Sequence, residues 1–119
     1  MPPENLWTYR PGVFGDESLS VIGFDVEATD GKIGSVDEES NVAGDSYIVV
    51  DIGFWLFGRK VVLPAGTVTR IDHQEHKVYV ARTKDEIKEA PEFEETKTTY
   101  DDAAYRKGLG EYYGRFPPI

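Results

Sequence analysis

The sequence predicts an all-β fold, a small barrel of about six strands with a short capping helix and a C-terminal helical tail. Short runs rich in Val, Ile, Thr and Tyr recur between residues 20 and 81, at strand length and separated by Gly, Pro, Asn or Asp. Asp30-Gly31 has the chemistry of a tight hairpin turn, and Pro64 with Gly66 interrupts the chain where two strands would meet at a corner. Helical signals are confined to the chain from Thr83 onward.

Residues 1–17 mix Pro, Gly, Asn and acidic residues with the aromatics Trp7, Tyr9 and Phe14, which suits an irregular arm pinned by its rings. Val21, Ile22, Phe24 and Val26 lead into Ala28-Thr29-Asp30-Gly31, and Ile33 and Val36 begin the return strand of a hairpin. Residues 41–45 form a loop. Tyr47-Ile48-Val49-Val50-Asp51-Ile52 is a continuous run of the kind buried on both faces. Phe54-Trp55-Leu56-Phe57, bounded by Gly53 and Gly58, reads as an aromatic loop or bulge, and Lys60-Val61-Val62-Leu63 as a short strand that Pro64 ends.

Residues 67–72 alternate, and Lys77-Val78-Tyr79-Val80-Ala81 returns across the polar turn Asp72-His73-Gln74-Glu75-His76. Thr83-Lys84-Asp85-Glu86 carries the Thr-x-x-Glu spacing of a capping box, opening a short helix that Pro91 stops. An acidic, aperiodic linker covers residues 92–99. Beyond it Tyr105, Leu109, Tyr112 and Tyr113 share one helical face. Gly108 and Gly110 each weaken that helix by about 1 kcal/mol relative to Ala, so it forms only if its aromatic face docks. There is no solenoid repeat and no low-complexity tract. The expected organisation is an N-terminal arm over 1–17, a barrel over 18–93 and a linker with aromatic tail over 94–119.

The expected core is Val26, Ile33, Val36, Ile48, Val50, Val62, Val68, Ile71 and Val80. Ile33 with Val36, and Val68 with Ile71, are of opposite parity, so each pair either contains a bulge or has one member outside the core. Gly31 suits the positive φ of a hairpin turn, and Gly23 and Gly34 suit sharp bending or close backbone approach. A barrel this small fills its interior with side chains and leaves little room for a ligand.

Composition bounds the function. At 119 residues and 13.4 kDa the chain holds one modest core. Hydrophobic residues make up 39%, slightly under the roughly 45–50% of globular domains, consistent with part of the chain being tail. Asp and Glu number 22 against 13 Lys and Arg, giving a net charge of −9 and a pI near 4.6. Nucleic acid and anionic membrane surfaces are therefore disfavoured as partners. Cysteine is absent, which removes disulfides, thiolate metal sites and a cysteine nucleophile. No apolar run approaches the roughly 18–20 residues that cross a bilayer. A cytoplasmic protein is expected.

In order and spacing, Ile22-Gly23-Phe24-Asp25-Val26, Asp30-Gly31-Lys32-Ile33-Gly34-Ser35-Val36, Tyr47-Ile48-Val49-Val50-Asp51, Lys60-Val61-Val62-Leu63-Pro64 and Val68-Thr69-Arg70-Ile71-Asp72, with the helix running to Ala90-Pro91-Glu92-Phe93, resemble the PRC-barrel family over roughly residues 18–93. That family includes the cytoplasmic domain of the photosynthetic reaction centre H subunit and the C-terminal domain of a ribosome maturation factor. The chain looks most similar to its stand-alone bacterial members with an acidic tail. The resemblance implies a small PRC-type β-barrel that acts through protein contacts and has no common catalytic residue. The 119 residues contain neither the transmembrane helix of the H subunit nor the N-terminal domain of the maturation factor, so neither of those jobs is implied.

The chemistry-bearing residues form no convincing set. His73 and His76 have ligand-like spacing beside Asp72, yet lie in a turn where polar residues are expected, and a tight metal site would need a third fixed ligand. A solvated turn is favoured, with a pH-sensitive contact as the alternative should the barrel assemble through this end. The carboxylates Asp25, Glu27, Asp37, Glu38, Glu39, Asp45 and Asp51 fall mostly at turns or outward positions, which opposes a glycosidase pair. Two histidines in one turn and no nucleophile elbow oppose a Ser-His-Asp hydrolase. No catalytic, metal or cofactor site is expected.

Aromatic surfaces remain. Phe54, Trp55 and Phe57 in the glycine-bounded loop, with Tyr105, Leu109, Tyr112 and Tyr113 in the tail, are the candidate partner interface, the other reading being that they complete the core. The tail can dock in cis or on a neighbouring subunit. The expected function is a non-catalytic protein-interaction and assembly module, forming a homodimer or higher homo-oligomer and binding another protein of unspecified identity. An RNA- or ribosome-associated accessory factor is the alternative.

Overall fold

The structure, a computed structural model, describes residues 6–13, 19–41, 44–52, 60–91 and 103–116. Six strands form one sheet in the order β4-β3-β2-β1-β6-β5. They are β1 (Asp25–Ala28), β2 (Gly31–Ser40), β3 (Tyr47–Asp51), β4 (Lys60–Pro64), β5 (Val68–Asp72) and β6 (Lys77–Val80), followed by helices α1 (Lys84–Lys88) and α2 (Ala103–Gly114). All neighbouring pairs are antiparallel except β1 with β6. β4 and β5, at opposite ends of the strand order, are joined by a 3-10 turn over Ala65–Thr67. So short a link brings the two sheet edges together, and the sheet must roll up into a barrel.

The hairpin at Asp30 forms as the turn chemistry predicts. Ala28 pairs with Gly31 across Thr29-Asp30, and Gly31 sits at φ 133°, a conformation that L side chains rarely adopt. The strand before it is shorter than its apolar residues suggest. Phe24 donates its N–H to Val21 O at 3.0 Å, so residues 21–24 form a turn that leaves Ile22 55% exposed while Val21 and Phe24 point inward.

The parity conflicts resolve as bulges. Val26 pairs with Gly34 and Glu27 with Lys32, which leaves Ile33 as the extra residue. Val68 pairs with Val80 and Arg70 with Tyr79, which leaves Thr69 extra. A third bulge falls between Val36 and Glu38. Bulges add local twist, which a sheet this short needs in order to curl. Ile33 and Ile71 end up half-buried against the core, and the other expected core residues are buried.

On β3, Ile48, Val49 and Val50 are buried in succession, and on β4 so are Val61, Val62 and Leu63. Consecutive strand residues point to opposite faces, so both faces of β3 and β4 are covered. One face lines the barrel interior. Leu109 and Tyr113 of α2 join the same apolar cluster, with Leu6, Trp7 and Tyr9 of the arm packed against it. Among the described residues no helix is long and apolar enough to cross a membrane.

Candidate interaction surface

The tail helix α2 docks on its own barrel. Leu109 is fully buried and Tyr113 is 3% exposed, each side chain contributing about 1.5–3 kcal/mol on burial, enough to offset the glycines of this helix. Burial also drives the Tyr113 phenol pKa upward, and its hydroxyl has no hydrogen-bond partner among the described residues. Tyr112 is half-buried and donates its hydroxyl to Glu86 O of α1. Its pKa is raised, first by desolvation and then by the charge of Glu89. Tyr105 reaches Pro91 O at 3.5 Å. The Arg82 guanidinium lies 4.4 Å from the centre of the Phe116 ring, which fastens the C-terminal end of the helix.

At its other end α2 meets the N-terminal arm. The Arg106 guanidinium stands 3.8 Å from the Trp7 ring centre and 5.1 Å from that of Tyr47, and it pairs with Asp45. Trp7 and Tyr47 contact each other edge to face at 6.5 Å. An open cleft of about 540 Å³ runs beside this cluster, lined by Trp7 and Asp45 together with residues of α2 that include Arg106, Lys107 and Glu111.

A second feature lies at the β5–β6 turn. Asp72 accepts from the N–H groups of Gln74 and Glu75, both at 3.0 Å, and the Glu75 donation is the largest cause holding its carboxyl below the ordinary range. The Phe24 ring contacts both imidazoles, at 5.6 Å from His73 and 5.0 Å from His76. His76 takes φ 57° and accepts the Asp25 N–H at 2.9 Å through its carbonyl. The histidines thus cover an aromatic ring, and among the described residues no group of three or more potential ligands is placed to hold a metal.

Several of the candidate carboxylates make contacts within the fold. Asp25 pairs with Lys32 and Asp37 with Lys60, both at 3.0 Å, and Glu39 accepts the Val21 N–H at 3.0 Å. Of the expected interface residues, Phe54, Trp55 and Phe57 lie outside the described residues. Leu109 and Tyr113 are taken up by this chain's own core and present almost no surface to a second protein, because they are the apolar stripe that holds α2 on the barrel. Tyr105 and Tyr112 keep part of their rings exposed. The residues that sequence reasoning missed are Asp45, Tyr47 and Arg106. Arg106 stands one turn before Leu109, on the edge of the docking face, a position that in sequence reads as a solvated flank.

No protein-family model matches the chain. No curated protein matches it either. Solved structures do match, among them the crystal structure of RimM, a 16S ribosomal RNA processing protein from Pseudomonas aeruginosa, at 20% identity and a TM-score of 0.47. That match covers 60% of this chain and 48% of the other, so the chain spans about half the length of that structure.

Proposed function

We propose that the chain is a non-catalytic interaction and assembly module of the PRC-barrel type, acting in the cytoplasm, self-associating as a homodimer or higher homo-oligomer and binding a protein partner through apolar surface. The observation that carries this reading is the contrast between interior and surface. The core is built from aliphatic side chains with Phe24 and Tyr113, and Thr67, a buried polar residue, donates to Pro64 O at 2.7 Å, a bond that serves the corner between β4 and β5. Leu19 and Ile22, at 45% and 55% exposure, meanwhile remain in solvent near one turn. The two lie three residues apart and supply apolar surface that association would bury.

Light scattering at micromolar concentration tests the reading. The expected mass exceeds that of the 13.4 kDa chain and falls toward it in Trp55→Ala and Ile22→Ser. A monodisperse monomer, unchanged by Trp55→Ala, removes self-association. The second reading, an RNA- or ribosome-associated accessory factor, demands a basic face from a chain of net charge −9, and binding to RNA and ribosomal particles separates the two.

A further inference from the structure

Arg106 joins the two ends of the described chain. It belongs to α2, yet its guanidinium stacks on Trp7 of the arm and pairs with Asp45 at the entrance to β3, and its side chain is only 13% exposed. The arm is stitched down by backbone. Trp7 O accepts the Ser46 N–H at 2.9 Å, and Leu6 O accepts the Gly66 N–H at 2.6 Å. The Arg10 side chain donates to Gly66 O at 3.3 Å and 3.4 Å. Ser46 and Gly66 flank the seam where the start of β3 meets the β4–β5 corner, and Ala65 N–H donates to Ser46 O across it at 3.1 Å. The arm therefore covers the seam, and α2 at this end is seated on the arm.

We propose that the N-terminal arm and α2 form one releasable clasp linked by Arg106, so that loosening either end frees the other and uncovers the seam while the six strands stay paired. Strand pairing is held by ladders that run along every strand, bulges included, whereas the clasp is held at separate points, among them two buried side chains, the Arg106 guanidinium over Trp7, the contacts of Tyr112, Tyr105 and Phe116, and the arm's bonds to Ser46 and Gly66. Sub-global opening draws on segments attached in this way. The buried Nε of Arg106 has no hydrogen-bond partner among the described residues. Arg presents a planar guanidinium to the ring where Lys would present a compact, strongly hydrated ammonium, which sets the two apart here.

Hydrogen exchange on the full chain reads the coupling directly, because the Ser46 and Gly66 amides report on the arm and those of Ala103–Gly114 on α2. Arg106→Ala is expected to lower protection at Ser46, Gly66 and α2 together by about tenfold or more, the loss that accompanies removal of a desolvated cation–π contact. The strand amides should be unchanged, Arg106→Lys intermediate, and Trp7→Ala should loosen α2. Loosening of α2 with Ser46 and Gly66 unaffected overturns the clasp, and so does an equal loss of protection throughout the strands. If Arg106→Ala does not fold, Tyr112→Phe serves instead. It removes a bond to α1 that never touches the arm, and the clasp requires the Ser46 and Gly66 amides to open with α2 all the same.

Discussion

At Gly34 a Cβ atom would stand 2.2 Å from the backbone oxygen of Asp51 and 3.0 Å from its carbonyl carbon. Backbone on a paired strand cannot yield as a flexible side-chain end can, so Gly34→Ala must spread β2 from β3 or twist the bulge beside it. The expected cost is about 2–3 kcal/mol, at or near the upper end of ordinary overpacking penalties, read as a lower urea midpoint with an unchanged slope. This need for a glycine was legible in the sequence, because a Gly inside a strand pattern signals close backbone approach. Arg106 was not legible as a contact. An arginine beside an apolar helical stripe has the signature of a solvated flank, and its partners Trp7, Asp45 and Tyr47 lie far away in the chain, where no periodicity records them.

Among the elements, α1 is where local sequence decides most. A helix of five residues is far below the length that persists alone, so its caps and its packing must supply what propensity cannot. Thr83 accepts the Glu86 N–H at 3.1 Å, and the Glu86 carboxylate accepts the Thr83 N–H at 2.8 Å, completing the capping box that the Thr-x-x-Glu spacing predicted. Asp30 then adds what spacing could not reveal, accepting the Lys84 N–H at 2.9 Å from the distant hairpin turn. Thr83→Ala should lower stability by about 1 kcal/mol and speed exchange of the Glu86 amide, while Thr83→Ser preserves both. Full stability in Thr83→Ala would show that Asp30 and the burial of Ile87 hold α1 without the box. The strands divide in the same way. Opposite parity within Ile33/Val36 and Val68/Ile71 marked two bulges, since side-chain alternation is a local property. The parallel pairing of β1 with β6 left no local mark, because register between strands remote in the chain is set by the curl of the whole sheet.

At the scale of the whole molecule, charge gives the two proposed partners different expected behaviour. Binding to a phosphate backbone draws on Lys and Arg free to displace counterions. Here many of the described cations are already engaged within the fold. Lys32, Lys60, Arg70 and Arg106 pair with Asp25, Asp37, Asp72 and Asp45. Arg10 serves Gly66 O, and Arg82 and Arg115 lie over the rings of Phe116 and Tyr112. Taking one of them for RNA would leave an acidic partner or an aromatic face exposed on a surface that already repels polyanions at long range. The chain is therefore expected to leave the mobility of a single-stranded RNA oligomer unchanged at about 50 mM salt, where electrostatic binding is favoured, and to stay out of the ribosomal pellet at both low and high salt. Binding at low salt whose affinity falls steeply as salt rises would overturn this expectation, since that slope counts phosphates neutralised by a basic surface. Pelleting that resists salt would equally overturn it, through a contact that does not rest on charge.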